Sequence, residues 1–297
     1  MWLLLAAASA LTLGAYEVAK KLALENNAVI PVLFFNVAIG VAIFLPFSLL
    51  SAYTGVLDGT LVYVPQISFA AHMAIFLKAF LVLSSWVFAY YAMKHLPIII
   101  TTAIKSTQPA IILIGAILIF AERLNGYQWA GMIVSIVALM MFSFAGKKEG
   151  IVFEKNKWVW CIFAATLLGA VSSLWDKHLV ISFDKIAVQV YTAYYQLVLM
   201  IPLIFLLWYP RRKKSTPFRW RWAVLWVTLF LTVSDFLYFY SLSLDGALVS
   251  VVSTIRKAGV VVPFFAGIIL FKEKNIKTKA VLLGFVLLGM YLLYLGS

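Results

Sequence analysis

Charged residues are scarce in this chain. Only 12% of its 297 residues are Asp, Glu, Lys or Arg and 64% are hydrophobic, whereas a soluble globular domain carries roughly 25% charged residues. This scarcity excludes a water-soluble globular protein. Apolar runs of about 20 residues, long enough to cross a hydrocarbon core of ~30 Å, fill nearly all of the sequence. The sequence therefore predicts a single polytopic membrane domain over residues 1–297.

The residues and motifs of common catalytic and metal sites are also missing. Cys161 is the single cysteine, which excludes a disulfide framework and a thiolate metal site. His72, His95 and His178 are isolated from one another, so they form no metal-ligand pattern. No G-x-x-x-x-G-K-[ST] run cradles ATP phosphates, and no G-x-S-x-G or clustered carboxylate motif indicates hydrolysis. We therefore expect that the protein is not an enzyme and binds no cofactor or metal. Without an ATP site, any energy for its function should come from gradients.

The apolar runs and the polar breaks between them predict an all-α fold with ten transmembrane helices. Their predicted bounds are 2–23, 28–52, 70–93, 98–120, 127–145, 158–180, 186–209, 222–243, 247–271 and 277–295. Two of the breaks are hydrophilic stretches, 146–157 and 210–221, which we interpret as linkers on one side of the membrane.

The two halves of the chain resemble each other. An offset of 151 residues pairs Lys105 with Arg256, and also Phe120 with Phe271 and Glu122 with Glu273; an offset of 156 pairs Lys21 with Lys177 and Pro46 with Pro202. The repeats are predicted at 1–146 and 158–297, joined by a linker at 147–157. Because each repeat holds five spans, an odd number, the second must enter the membrane upside down. Such an inverted-topology repeat is typical of alternating-access transporters.

The formal net charge of +13 comes from basic residues between the spans. Near the loops after odd-numbered helices the basic residues are Lys20, Lys21, Lys94, Lys147, Lys148, Lys155, Lys157, Arg211, Arg212, Lys213, Lys214, Arg219, Arg221, Lys272, Lys274, Lys277 and Lys279. The other side has Arg123, Lys177 and Lys185. The positive-inside rule predicts that the first side is cytosolic and both termini are outside. The expected location is the plasma membrane, or the inner membrane of a bacterium, with membrane lipids as partners and no nucleic acid.

Lys105 and Arg256 lie deep inside apolar segments, where a charge costs on the order of 3 kcal/mol. Pro109 frees the carbonyl of Lys105 and Pro263 that of Gly259, so each cation lies beside an expected helix kink. Polar residues on the fourth, seventh, eighth and ninth helices share faces with these cations or offer aromatic walls. The predicted substrate-binding residues are Lys105, Arg256, Lys257, Thr101, Gln108, Ser253, Asp235, Gln196 and Tyr195.

The acidic residues inside the spans have alternative interpretations. Asp235 could pair with Lys105, Arg256 or Lys257, either permanently or as part of the site. Glu17 has lysines three and four positions later, which fits an exposed pair within one helix; the alternative is a protonatable coupling group. Further from the centre, we expect Lys78 to reach the membrane interface and Asp176 to lie at a helix end.

Ten spans in two inverted fives, with Phe-x-Glu at 120–122 and 271–273, resemble the EamA-like branch of the drug/metabolite transporter superfamily. This resemblance covers essentially the whole chain and implies a basket of helices around a central cavity, with the fifth and tenth helices peripheral. Residues 102–109, TAIKSTQP, look like the fourth helix of triose-phosphate translocators, whose lysine contacts substrate phosphate. Arg256 and Lys257 occupy, in reversed order, the place of their ninth-helix cations. Glu17 is similar in placement to the first-helix glutamate of small multidrug-resistance transporters.

The leading hypothesis is a secondary active transporter of small organic anions or zwitterions such as organophosphates, carboxylates or amino acids. Lys105, Arg256 and Lys257 would bind the substrate's carboxylate or phosphate through charge-assisted hydrogen bonds. The alternative within transport is a proton-coupled exporter of cationic or neutral compounds, with Glu17 and Asp235 facing the cavity. A membrane-embedded transferase is a third hypothesis. The oligomeric state stays open, with a homodimer as one option.

Overall fold

The structure is a computed structural model of the chain. It describes residues 2–120, 153–213, 216–244, 252, 255–273 and 275–296, and between 121 and 152 it describes 125–127, 129–131, 133–134, 137–138 and 141. Within this described part every regular element is helical, which confirms the all-α prediction. The predictions that concern residues 142–152, Ser253 and Glu122 lie outside the described residues.

Ten α-helical segments are labelled in chain order. They are α1 (Trp2–Leu24), α2 (Val29–Tyr53), α3 (Phe69–His95), α4 (Ile98–Ser106), α5 (Gln108–Phe120), α6 (Lys157–Ser182), α7 (Lys185–Leu203), α8 (Ala223–Leu242), α9 (Val261–Ile269) and α10 (Ile276–Leu295). Helical residues also occur between 126 and 141. Among the described residues, α1, α2, α3, α6, α8 and the run Lys185–Trp208 are long and apolar enough to cross a membrane, and Ile98–Ile112 is a shorter apolar helix.

Three predicted spans are interrupted. The fourth breaks at Thr107, between α4 and α5, where Pro109 lacks the N–H that would continue the helical ladder. In the ninth, a 3₁₀ turn at Ala258–Val260 follows Lys257 and precedes Pro263. The helices are therefore interrupted beside both cations, as the prolines predicted. The seventh span, predicted at 186–209, is helical over Lys185–Trp208, and after Pro202 it changes to a π-helical stretch, Ile204–Trp208, followed by a 3₁₀ turn.

The helix termini meet at two ends of the molecule. At one, which we call the basic end, α1, α3 and the segment before α8 join: the Lys94 ammonium donates to the Asn27 carbonyl at 2.9 Å, and the Asn27 amide donates to the Arg219 carbonyl at 2.7 Å. The opposite or distal end joins the start of α1 to α8, because the Ser241 hydroxyl donates to the Trp2 carbonyl at 2.9 Å. Successive long helices therefore run antiparallel between the two ends.

The core packing crosses the boundary between the predicted repeats. The two most extensive helix contacts in the described part are α1 with α8 and α3 with α6, so the first helix of each repeat packs on the third helix of the other. Matching hydrogen bonds pin both contacts: the Ser234 hydroxyl donates to the Ser9 carbonyl at 2.9 Å, and the Ser85 hydroxyl donates to the Ala165 carbonyl at 2.7 Å. Ala165 follows Ser9 by 156 positions, the offset that relates the first helices of the repeats.

Close backbone contact fixes α1 against the 3₁₀ turn at Ala258–Val260. A Cβ added at Gly259 would lie 2.1 Å from the Ala10 carbonyl oxygen, and one at Gly14 would lie 2.6 Å from the Gly259 carbonyl oxygen. Both positions need glycine because no side chain fits between the two backbones. This contact holds the residues just before the turn, Arg256 and Lys257, against the centre of the bundle.

Candidate functional site

A cavity of about 210 Å³ lies between the helices and is lined by residues of α1 to α9 and of the segment 256–260. Two well-packed apolar layers flank it. At the basic end Leu24, Ile30, Leu33, Met93 and Leu96 are at most 2% exposed, and at the distal end Ile75, Leu179, Tyr238 and Phe239 are at most 5% exposed. The residues named for the basic-end layer all belong to the first predicted repeat, whereas those of the distal layer come from both. The cavity therefore lies between two apolar layers, and charged side chains form part of its lining.

The part of the cavity nearer the basic end holds a cluster of three charged groups. The Glu17 carboxylate contacts the Lys105 ammonium through Oε1 and the Lys20 ammonium through Oε2, the latter at 2.5 Å. Lys20 is fully buried and its ammonium lies 4.5 Å from the centre of the Tyr16 ring. The interpretation of Glu17 as an exposed pair is therefore wrong. Lys21 instead donates to the carbonyls of two residues near the end of α3.

The second cluster joins α8 to the segment before the 3₁₀ turn. The Arg256 guanidinium pairs with the Asp235 carboxylate and donates to the Ser234 hydroxyl at 3.2 Å. Its central carbon lies 4.4 Å from the centre of the Tyr238 ring. Of the three partners considered for Asp235, the structure places Arg256 beside it. The pair keeps some exposure to the cavity, 16% for Arg256 and 27% for Asp235.

A third charged pair lines the cavity where sequence reasoning expected none. The Lys78 ammonium contacts the Asp176 carboxylate, and both side chains are less than 10% exposed. The expectations that Lys78 reaches the interface and that Asp176 lies at a helix end are wrong. Each residue is opposed by a charge from a distant helix, so neither needs to reach water. The position of each charge inside an apolar helix was the only indication in the sequence that it needs a partner. Which partner it has depends on the packing of α3 against α6, a tertiary contact that the sequence does not show.

Several cavity donors have no acceptor in the described part of the chain. The Gln196 amide nitrogen and the Arg256 Nε are buried without a hydrogen-bond partner among the described residues. Lys257 lines the same cavity, and none of the described carboxylates lies within ion-pair distance of its ammonium. Unsatisfied buried donors are costly. Gln196, Arg256 and Lys257 all line the cavity.

The remaining predicted site residues fall in different places. Gln108 lines the cavity and its amide donates to the Ser173 hydroxyl at 3.2 Å. Thr101 is fully buried, and its hydroxyl donates to the Ile98 carbonyl at 2.9 Å, so it is directed into its own helix. Tyr195 bonds to His72 Nδ1 at 2.9 Å rather than lining the cavity. Ser253 lies outside the described residues.

Lys20 is the cavity residue that sequence reasoning placed elsewhere. Its position beside Lys21 near the end of the first span made both residues look like topology signals. The structure separates them: Lys21 faces the end of α3, whereas Lys20, one position earlier, lies about 100° away around α1 and faces the cavity. The sequence indicated that Lys20 pairs with Glu17, three positions earlier. It did not indicate that this pair is buried.

The helical bundle with a charged central chamber defines the class of protein, a polytopic membrane protein built like a transporter. Comparison with known families agrees. Residues 1–144 match the model of the EamA-like transporter family, which confirms, for this part of the chain, the superfamily resemblance recognised in the sequence. The match indicates a membrane transporter of small molecules and supports transport over catalysis. The likeness of residues 102–109 to triose-phosphate translocators stays a prediction.

The fold extends beyond the matched segment. A solved structure described only as "Crystal structure of protein" superposes with a TM-score of 0.62, covering 97% of this chain and 96% of that one at 13% sequence identity. At this identity the likeness concerns the fold alone. The search of the curated proteins found no match.

Proposed function

We propose that this protein is a secondary active transporter of small organic anions or zwitterions in the plasma membrane. In this proposal ten spans form two inverted repeats, 1–146 and 158–297, and the cavity opens alternately to either side. The observation that carries the proposal is the charge of the cavity. Its described lining holds five cations, Lys20, Lys78, Lys105, Arg256 and Lys257, against three carboxylates, Glu17, Asp176 and Asp235.

The charge excess favours an anionic ligand. Three cations can be balanced by the three carboxylates, which leaves a formal excess of two positive charges between the two apolar layers. A carboxylate or phosphate would offset this excess and accept hydrogen bonds from Lys257 and Gln196. The cavity volume of about 210 Å³ suits a small metabolite.

The contacts between helices support alternating access. The first-to-third helix contact occurs twice, once in each direction between the repeats, as an internal two-fold relation requires. The helix breaks beside Lys105 and Lys257 also occur once in each repeat. Two equivalent halves around one cavity can exchange roles, because the conformation of one half in one state becomes that of the other half in the next.

The ion pairs favour a second candidate, a proton-coupled exporter of cationic or neutral compounds. Lys105 is already paired with Glu17, and Arg256 with Asp235. If both pairs persist through the cycle, these cations cannot bind an anion. The carboxylates would then attract a cationic substrate or a proton. In either case Glu17, the carboxylate shared by two lysines, is the proposed coupling group.

Uptake into proteoliposomes distinguishes the two candidates. We expect labelled succinate, glutamate or inorganic phosphate to be taken up, and Lys257→Gln to lower this uptake at least tenfold because it removes the cation without an ion-pair partner in the described part of the chain. Lys213→Gln, which removes an exposed lysine at the basic end, is the matched control and should have little effect. Export of tetraphenylphosphonium without uptake of any anion, or full anion uptake by Lys257→Gln, would overturn the leading proposal.

A further inference from the structure

We propose that Lys78 and Asp176 form a latch that closes the distal side of the cavity, a role that rests on the proposed alternating-access function. The pair lies between the cavity and the distal apolar layer. Lys78 is about 13 Å along α3 from its distal start, at a rise of 1.5 Å per residue. Ile75 precedes Lys78 by one turn, and Leu179 follows Asp176 by one turn, so both of these apolar neighbours lie on the distal side of the ion pair.

The pair differs from the other ion pairs of the cavity in what it connects. Glu17 pairs with lysines of its own predicted repeat, and Asp235 with the arginine of its own repeat. Lys78 and Asp176 come from different repeats and join α3 to α6. When the repeats move relative to each other, pairs within one repeat can move together with it. A pair between repeats must separate if α3 and α6 part at the distal end.

Further contacts near the Lys78–Asp176 pair hold α3, α6 and α8 together. The Trp175 indole N–H donates to the Ala74 carbonyl at 3.0 Å, one turn from the ion pair, and fixes the register of α6 on α3. The Lys78 ammonium also lies 4.4 Å from the centre of the Phe239 ring, which belongs to the distal layer on α8. Loss of the Lys78–Asp176 pair would therefore loosen α3, α6 and α8 at one place.

The chemistry of the pair suits a latch better than a permanent support. Apolar side chains of similar volume would often stabilise a closed interior as well as a buried ion pair or better. An ion pair, however, is strong where water is excluded and weak in water. Once water enters from the distal side, both charges regain hydration and the closed state loses its advantage. An apolar contact would resist the same opening because it exposes hydrocarbon.

Cysteine labelling tests the latch without knowledge of the substrate. In a Cys161→Ser background, Thr232→Cys places a reporter thiol in the cavity lining. A membrane-impermeant sulfonate-bearing thiol reagent is added to one side of oriented proteoliposomes. We expect Lys78→Gln and Asp176→Asn each to speed labelling from the distal side at least fivefold. The charge-swapped double variant Lys78→Asp/Asp176→Lys should restore slow labelling, because it rebuilds the pair.

Lys185→Gln is the matched control, since it removes a distal-end lysine that stacks on Tyr240 and does not line the cavity. Trp175→Phe retains a large ring, removes the bond to Ala74 and should speed labelling less than loss of the pair. If the single latch variants fail to fold, this variant still tests the proposal. Unchanged labelling in the variants that fold, or a swapped variant as fast as the single ones, would overturn the latch.

The same reagent added from the basic side separates the latch from the proposed transport function. The Thr232→Cys thiol could be labelled from both sides at rates that the Lys78 and Asp176 substitutions do not change. This result would support alternating access and overturn the latch. Labelling from the distal side alone, accelerated by the single variants and slowed again by the swap, would support the latch and count against alternating access.

Discussion

Glu17 is the residue whose contacts combine two possible roles. Its carboxylate balances Lys20 and Lys105 at once, and its side chain is 8% exposed. A carboxylate that gains a proton would release both ammonium groups into the cavity and change its charge. The same residue could therefore couple proton movement to the availability of Lys105 for a substrate.

We predict that Glu17→Gln abolishes the response of anion uptake to an imposed proton gradient. The amide keeps the size of the side chain but cannot exchange a proton, so uptake should be the same with and without the gradient. Glu25→Gln is the control, because Glu25 is exposed and its pair with Arg221 has an N–O distance of 3.4 Å. Gradient-driven uptake that is undiminished in Glu17→Gln would assign the coupling to another group.

Single residues of the site were partly predictable from the sequence. Lys105 and Arg256 stood out because each is a cation deep inside an apolar run, and both line the cavity. Lys78 and Asp176 were instead expected at the membrane interface and at a helix end, because the partner of each lies 98 positions away in sequence. Whether a charged residue reaches water or a buried counter-charge depends on which helices pack together, and neither hydropathy nor spacing contains that information.

At the scale of elements, the contact between α1 and the turn at Ala258–Val260 sets the position of the cations. The closest approach joins the Gly259 backbone to the Ala10 carbonyl, with no space for a side chain. Any displacement of this turn moves Arg256 and Lys257, the residues immediately before it. The prolines predicted that both cation-bearing segments would be irregular. The form of each irregularity depends on packing: the 3₁₀ turn at Ala258–Val260 packs on α1, and the helices on either side of the break at Thr107 pack on α6.

We predict that Gly259→Ala destabilises the protein and lowers transport together. The added Cβ would lie 2.1 Å from a backbone oxygen, so the turn must shift, at a cost of about 1–3 kcal/mol for an overpacked site. Gly284→Ala is the matched control, since a Cβ at Gly284 meets nothing within 4 Å, and alanine favours the helix by up to about 1 kcal/mol. Thermal melting in detergent measures both changes. Equal melting temperatures for the two variants would show that the turn adapts without cost.

On the scale of the whole molecule, the main helix contacts join the two predicted repeats. The most extensive helix contacts in the described part run between them, α1 with α8 and α3 with α6. The offset matches predicted that the halves are related, yet they gave no indication that the first and third helices exchange partners. Exchange is a property of the assembled bundle, because α1 could pack on α3, the counterpart of α8 in its own predicted repeat, yet its most extensive contact is with α8.

We predict that residues 1–146 and 158–297, expressed separately, are recovered as aggregates, whereas the two fragments expressed together form one complex. Each fragment alone leaves unfilled the interfaces that the partner's helices would cover and exposes half of the charged cavity to lipid. Co-purification through an affinity tag on one fragment, followed by size-exclusion chromatography, measures this. A monodisperse, helical fragment obtained alone would show that one repeat folds independently.

The orientation of the whole molecule follows from its two unequal ends. Basic residues gather at the basic end, where each Lys or Arg near an anionic leaflet contributes on the order of 1 kcal/mol, so we predict that this end is cytosolic. In a Cys161→Ser background, exposed cysteines replace Asp58 in the distal α2–α3 loop and Lys213 after the seventh span. A membrane-impermeant maleimide added to whole cells should label Asp58→Cys alone, and permeabilised cells should show both. Labelling of Lys213→Cys in intact cells would place the basic end outside and would mean that the charge asymmetry does not determine the topology of this protein.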